Sequence, residues 1–435
     1  QKKYLIMFRK LIHPILVFPI CLFVHSQEAL LSKTKDNIEE IQQKKENPIF
    51  IDYSVIKNII SQNNKELKSL KELVISSEFN QKSKISKRYP TLNFSATGLP
   101  QYQAGKSFNS NSVNSETSQY KANPSLTLKL DLINPTTGNE IKISRDNFLI
   151  AKNNYEIKKK DLIKEAKSRY HKLQKSYKDI NNKTLSLDLS LTSLKDAQSK
   201  FDAGIGTKFE VLEADAQLSR DRQSLNEKKI EFKINEISLK EILNIEENIL
   251  INKDQNIKGF WNYDLQKNIK NGLERNLSIK NINLQKSIKQ NQANNFLNAN
   301  KPYVYISNTF SVSFSKGDAL TTKIDIEEYG SSYSNTIGLN FNWNIFDGGQ
   351  NKNSYKSSNA DAKSEDYSYK NFENILKTNI SQAYFNLKLN EEKILSSLKE
   401  ISSTEESLRL ARLRYEVGIS TLKDVLVRQK ELSNA

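Results

Sequence analysis

The chain repeats itself at a spacing of 212 to 214 residues, so its architecture has to be built from two copies of one unit. Lys200-Phe201-Asp202-Ala203-Gly204-Ile205-Gly206-Thr207 recurs as Arg414-Tyr415-Glu416-Val417-Gly418-Ile419-Ser420-Thr421, an offset of 214. At that offset Val211-Leu212 meets Val425-Leu426 and Leu218-Ser219 meets Leu432-Ser433; upstream, Tyr170 and Leu173 meet Tyr384 and Leu387. At an offset of 212, Asn64 meets Asn276 and Pro90 meets Pro302. A small loop insertion accounts for the drift, and the matches keep their order along the chain. This is a tandem duplication.

The first segment, 1–26, reads as a secretory signal: Arg9 and Lys10 form a charged start, Leu11 to Val24 an apolar core, and Val24 and Ser26 occupy the small-residue positions of a cleavage site. Met7 is the only methionine, so translation is expected to begin there, with Gln1 to Ile6 extraneous. The apolar core is too short to span a bilayer comfortably. Cys21 is weighed as a lipid-attachment site, but Ile20 and Pro19 before it are not the small residues such a site needs, and it reads as an apolar residue within the signal.

Removing this segment takes away Cys21, His13 and His25, leaving a chain with no cysteine and one histidine, His171. Zinc sites of Cys/His type, thiol nucleophiles and Ser-His-Asp triads therefore have no residues to build on. No catalytic residue, metal site or cofactor is expected, and His171, beside Tyr170 in a helical segment, reads as an inert surface residue. The net charge of +16 is compatible with nucleic-acid binding only if the basic residues cluster. They are instead scattered among Asn, Glu and Ser, with Lys158-Lys159-Lys160 one of the few runs. A lysine-rich solvated surface is the reading, with no nucleic-acid partner. No segment after the signal carries the roughly 18 apolar residues of a membrane helix.

Within each repeat, breakers define the elements. No proline lies between Pro135 and Pro302 or after Pro302, and glycine is absent from Asn139 to Ala203 and from Gln350 to Val417. The two uninterrupted stretches predict helices roughly 90 to 100 Å long. Ile394, Leu398, Ile401, Leu408, Ala411 and Tyr415 form the narrow stripe of a coiled-coil seam on the second. Each long helix ends at the repeated glycine motif: Gly204 and Gly418 suit the left-handed position that stops a helix, and Thr207 and Thr421 suit the N-cap of the next. The unit is a helical hairpin with a tight tip at 203–207 and 417–421.

Before each long helix lie two alternating segments, about 91–103 and 124–134, then about 303–315 and 336–346. Leu92, Phe94, Ala96, Leu126, Leu128, Leu130, Leu132, Val304, Ile306, Phe310, Val312 and Phe314 occupy even positions, and Ile337, Leu339, Phe341, Trp343 and Ile345 odd ones. These read as tilted membrane strands with one apolar face and a water-facing alternate face. Ala104 to Asn123 and Ser315 to Asn335, rich in Ser, Asn, Gly and Thr, read as external loops. Four strands cannot close a barrel whose smallest membrane form has about eight, so other copies must complete it. Helices at about Tyr53 to Arg88 and Tyr263 to Ala299 precede each strand pair, and Lys253 to Asn262 joins the repeats. Trp343 suits either an interfacial belt or packing at the strand-to-helix junction.

This order of elements behind a signal resembles the TolC family of outer-membrane efflux and secretion ducts. The tips carry the resemblance most specifically, Phe201 to Thr207 and Tyr415 to Leu426, with Trp343-Asn344-Ile345-Phe346-Asp347-Gly348-Gly349 and its counterpart Leu130 to Pro135. The resemblance implies an α+β membrane protein with repeats at 27–250 and 251–435. Its duplicated helix-strand-strand-helix-helix unit would give a long α-helical coiled-coil barrel topped by a transmembrane β-barrel completed by trimerisation. It implies a homotrimer in the outer membrane, in contact with outer-membrane lipid and reaching into the periplasm, where a periplasmic adaptor (membrane fusion) protein and an inner-membrane transporter dock. Carried over, Gly204, Ile205, Gly206, Thr207, Val417, Gly418, Ile419, Ser420 and Thr421 become adaptor-contact tips. Asp424 matches an aspartate that forms a cation-selective ring at the periplasmic entrance, and Glu210 matches the acidic residue of the other tip. The plain alternative for Asp424 is a solvated helix-start carboxylate.

The chain departs from the family at Val427, where a second ring aspartate is usual, and at Ser420, where an arginine pairs with the other tip. It also stops 17 residues past Gly418, whereas the first repeat stays helical for about 40 beyond Gly204, so the last helix is expected to be truncated. The function implied is a passive exit duct of a tripartite efflux pump or type I secretion system, not an enzyme. A periplasmic adaptor or structural coiled coil without a pore is the alternative, opposed by the four strands and the second hairpin.

Overall fold

A computed structural model describes residues 48–109, 112–253, 261–321 and 327–435. The expected signal, with Met7, His13, Cys21 and His25, lies outside these residues, as does most of the linker between repeats. The described elements are β1 (Ile49–Ile51), α1 (Ile56–Asn63), α2 (Lys65–Ser86), β2 (Thr91–Asn109), β3 (Ser112–Ile133), α3 (Thr137–Asp202) and α4 (Lys208–Leu243) in the first half. The second half contributes β4 (Ile249–Ile251), α5 (Leu265–Arg275), α6 (Leu277–Ala299), β5 (Tyr303–Thr321), β6 (Glu327–Asn342), α7 (Gln350–Glu416) and α8 (Leu422–Asn434). Apart from the added β1 and β4 this is the duplicated order, and β4 straddles the expected boundary at residues 250 and 251.

The long helices match the breaker-free stretches. α3 has 66 residues and α7 has 67, each about 100 Å at 1.5 Å per residue. The preceding helices differ from expectation, because each is split. Asn64 (ψ 119°) and Asn276 (ψ 120°) leave helical conformation. Asn64 Oδ1 accepts from the Leu67 N–H at 3.0 Å, and Asn276 Oδ1 from the N–H of Ser278 at 2.8 Å. An asparagine that bonds the next turn competes with the helix ladder, so it interrupts one helix and caps another without glycine or proline. The Asn64/Asn276 match between repeats is a matched break.

Four strands form one antiparallel sheet in the order β2-β3-β5-β6. β2 and β5, 19 residues each, start at the expected positions and run past their expected ends, whereas β3, with 22 residues, and β6 start well before theirs, at Ser112 and Glu327. Most of Ala104 to Asn123 and Ser315 to Asn335 is therefore paired strand, not loop. The Lys106–Glu116 ion pair (3.0 Å) and the Tyr102–Ser118 hydroxyl contact (2.8 Å) lie within this paired extension. Its Ser- and Thr-rich sequence makes ladder hydrogen bonds as well as any other, while supplying no apolar alternation. β6, in contrast, ends at Asn342, short of the expected 346. Among the described residues, both outer edges of the sheet, β2 and β6, are unpaired.

Two buried clusters hold the helices. Where β1 pairs in parallel with β4, Ile51, Ile56, Ile60, Leu162, Tyr170 and Leu239 pack together. His171 belongs beside this cluster: its Nδ1 meets Gln174 Oε1 at 2.9 Å and its ring lies 5.0 Å from that of Tyr53. The second cluster, at the tip end, joins the hairpins through Ala197 and Ala214 of the first and Leu408, Tyr415, Leu422 and Val425 of the second. The lower part of the expected seam is thus packed, whereas Ile394 and Leu398 are exposed. The return helix α8 reaches only as far as Ile401, which shares a cavity with Leu432 and Ala435. Among the described residues no helix is long and apolar enough to cross a membrane, and no group of three or more His, Cys, Asp or Glu side chains is placed to hold a metal.

Candidate functional site

The sheet has two chemically different faces. Register puts Leu126 opposite Phe310 and Leu130 opposite Ile306, and Phe94 opposite Leu126. On the other face side chains pair by hydroxyl and amide. Thr127 and Thr309 hydroxyls meet at 3.2 Å, Ser95 and Ser125 at 2.8 Å, and Ser311 and Ser334 at 2.8 Å. Asn340 donates to Ser307 at 2.8 Å, and Ser313 to Asn123 at 2.7 Å. Near the helical end, the Tyr303 hydroxyl donates to Asp131, and the Lys129 ammonium sits 4.3 Å from the Tyr305 ring. Strand alternation therefore separates a lipid-type face from a water-type face.

An aromatic belt bounds the apolar face away from the helices. Tyr102 and Tyr120 pair with ring centroids 5.1 Å apart, and Tyr329 and Tyr333 are exposed on the same face. From Leu132 to Tyr120 the strand climbs roughly 40 Å, or about 29 Å of height at a 45° tilt, close to the apolar thickness of a membrane. Trp343 sits just past β6, where its indole N–H donates to the Asn300 carbonyl at 2.9 Å, a strand-to-helix junction contact.

At the opposite end the hairpins turn. Gly204 and Gly418 have φ of +77° and +78°, the left-handed region only glycine enters freely. At the first tip the N–H groups of Ile205 and Gly206 both return to the Lys200 carbonyl, at 3.0 and 2.9 Å. At the second, Ile419 and Ser420 return to the Arg414 carbonyl at 2.8 and 3.2 Å. A Cβ at Gly206 would lie 2.9 Å from the Phe201 nitrogen, and where the second turn carries Ser420 at that position, the N–H bond from it to the Arg414 carbonyl is longer, 3.2 against 2.9 Å. Ile205 and Ile419 project at 78% and 79% exposure, with Val417 exposed beside them.

Thr207 and Thr421 each open the returning helix with a capping box, whose acid is Glu210 in the first and Asp424 in the second. Asp424 Oδ2 accepts from the Ser420 hydroxyl at 2.7 Å and the Thr421 hydroxyl at 3.0 Å. The Ser420 hydroxyl, then the Thr421 N–H and hydroxyl, hold the Asp424 carboxyl below the ordinary aspartate range. Ser420 thus serves its own helix cap and not the other tip.

A different residue links the hairpins, and sequence reasoning missed it. Lys200 Nζ donates to the Tyr415 carbonyl at 2.6 Å and lies 3.7 Å from the Tyr415 ring centroid. The clue was present: both repeats place a cation just before the aromatic of the tip motif, Lys200-Phe201 and Arg414-Tyr415. Further from the tip, Gln429 donates to the Ser186 carbonyl at 3.1 Å and the Ser190 hydroxyl at 3.0 Å, while Ser190 donates to Asp221. This buried polar set fixes α8 on the first hairpin. Nothing in the pattern of the separate segments marks those residues as partners.

Comparison with known proteins agrees with this geometry. The chain is similar in structure to the channel CusC (15% identity, TM-score 0.71, covering 89% of this chain and 88% of that one). It is also similar to the outer membrane protein VceC from Vibrio cholerae (13%, 0.71, 88% and 90%) and to the Campylobacter jejuni outer membrane channel CmeC (19%, 0.68, 88% and 80%). No curated protein matches it in sequence. The outer membrane efflux protein family model matches residues 58–244 and 273–435, and the chain belongs to that family.

Proposed function

We propose that the chain is the passive exit duct of a tripartite efflux pump or type I secretion system, with no catalytic step of its own. The single observation that carries this is the continuity of one sheet, apolar on one face and hydroxyl-lined on the other, with two glycine-tipped helical hairpins. Three copies would close a twelve-stranded barrel whose inner face carries Thr127, Thr309 and their neighbours. At the far end, Gly204 to Thr207 and Val417 to Thr421 would meet a periplasmic adaptor, their projecting Ile205 and Ile419 supplying apolar contact, with an inner-membrane transporter beyond. Asp424 and Glu210 would line the entrance. An adaptor without a pore has no use for a sheet with a membrane-thick apolar band.

Cysteine substitution tests the reading. Thr127→Cys and Lys129→Cys should react with a water-soluble thiol reagent in outer-membrane vesicles, whereas Leu126→Cys and Leu128→Cys should be protected by lipid. Equal labelling at all four positions, or absence of heat-modifiable oligomer bands from the outer-membrane fraction, overturns it.

A further inference from the structure

We propose that Lys121 forms an anion-attracting ring inside the barrel, one ammonium from each of three copies, so that the exit section of the duct favours small anions and anionic cargo. The proposal rests on the duct reading above. Strand register assigns each described charge to a face, because residues two apart share one, and Asn123, Ser125 and Thr127 on β3 mark the water-type side. Lys121 continues that row. Among the described side chains of the four strands, that face carries only Lys129 and Asp131 as further charges, whereas Lys106, Glu116 and Lys316 take the opposite face. The two lysines differ in their surroundings. Lys129 Nζ lies 3.8 Å from Asp131 Oδ1, so its charge is offset where it stands. Lys121 has no ion-pair partner among the described residues, and Gln101 and Ser315 opposite it, like Gln119 and Asn123 beside it on β3, are uncharged. The positive field of this face therefore comes from one residue per chain.

Its height in the wall gives that charge reach. Lys121 follows Tyr120 of the aromatic belt, and β3 extends outward from it to Ser112, a further ~30 Å of strand or about 21 Å of height at a 45° tilt. The ring thus lies within a walled tube and not at an open rim, and low-dielectric walls focus the field of a charge. Twelve strands about 4.8 Å apart at that tilt enclose about 26 Å between backbones. The axis then lies about 13 Å from the wall and closer to the ammonium groups, comparable with the Debye length of about 10 Å at 0.1 M salt. An anion crossing this level is attracted wherever it travels. The sign is opposite to that of the acidic entrance proposed for Asp424, so the two ends of the duct select differently.

The local potential can be measured with two methanethiosulfonate reagents of opposite charge, one bearing a sulfonate and one a trimethylammonium group. Their rate ratio at one cysteine, divided by the ratio for a free thiol, cancels steric access and intrinsic reactivity. The full-length chain in outer-membrane vesicles, with Cys21 replaced by serine, carries Ser315→Cys directly opposite Lys121. There the anionic reagent should be favoured several-fold at 0.1 M salt, and the preference should fade at 1 M. Lys121→Gln should remove the preference, and Lys121→Glu should reverse it. At Ser307→Cys, opposite Lys129, the offset charges should hold the ratio near one. A ratio at Ser315→Cys that Lys121→Gln leaves unchanged, or a stronger anion preference at Ser307→Cys, overturns the ring and leaves the duct reading standing. Protection of Ser315→Cys from both reagents would place it away from water and overturn both.

Discussion

The ammonium of Lys200 donates to the carbonyl of Tyr415 at 2.6 Å, tying the first hairpin to the second where both end. The same Nζ lies over the Tyr415 ring at 3.7 Å. A cation–π contact of this kind contributes about 0.5 to 2 kcal/mol. Lys200→Gln should therefore loosen the entrance and raise single-channel conductance in planar bilayers. Tyr415→Phe should do neither, because the buried phenol oxygen has no hydrogen-bond partner and the ring and carbonyl remain. Conductance unchanged by Lys200→Gln would show that the tie carries no load.

Asn64 and Asn276 occupy equivalent helix breaks, yet their substitutions should differ in cost. Both cap the following helix, and losing an asparagine N-cap costs about 0.5 to 2 kcal/mol. Asn64 is also buried, and its Nδ2 donates across to the Ile242 carbonyl at 3.1 Å. Asn64→Ala leaves that buried acceptor unpaired, adding about 1 to 3 kcal/mol. In urea melts of the detergent-solubilised protein, Asn64→Ala should lower the midpoint clearly more than Asn276→Ala. Equal shifts would mean that the Ile242 bond contributes nothing.

These asparagines mark where the sequence was legible and where it was not. The repeat, the long helices and the tips could be read because glycine, proline and an aligned N-cap threonine act locally. The breaks at Asn64 and Asn276 were visible as a match, but asparagine is tolerated inside helices often enough to hide its role. The far ends of β2 and β3 read as loops in sequence because a strand wet on both faces shows no alternation. β1 and β4 are three residues each and gain their stability from a partner 200 residues away, such as Ile49 with Ile249, which no local pattern reveals. Lys200 and Gln429 contact elements from the other repeat or its hairpin, so only the fold brings their partners near.

Gly418 and Gly204 sit at φ values near +78°, and a Cβ added at either would have no neighbour within 4 Å, so a side chain there is opposed by backbone strain and not by crowding. Gly418→Val should cost on the order of 1 to 2 kcal/mol, more than Gly418→Asn, because asparagine tolerates the left-handed region. The turn presents Val417 and Ile419, so export should fall in the valine variant while oligomer levels, set by the distant sheet, hold. Wild-type export from Gly418→Val at normal oligomer levels would remove the tip from the docking surface.

Asp424 serves the cap of α8 and, in the proposed trimer, faces the pore entrance, and its two roles separate by charge. Asp424→Asn keeps an oxygen acceptor for the Thr421 N–H but loses the charge, so α8 should stay folded while the negative field at the entrance disappears. Cation selectivity and block by multivalent cations should both drop in planar bilayers. Val427 supplies no second carboxylate one turn on, so the single substitution should remove most of the filter. The pH dependence follows from the lowered carboxyl pKa, set first by the Ser420 hydroxyl. The charge and its contribution to the cap are fully present above the unfolded aspartate value of about 4 and are lost only as pH falls through the lower folded value. Selectivity of the wild-type channel should thus hold down to about pH 5 and converge on that of Asp424→Asn only in stronger acid. Wild-type selectivity in Asp424→Asn at neutral pH would assign the carboxylate to the helix cap alone.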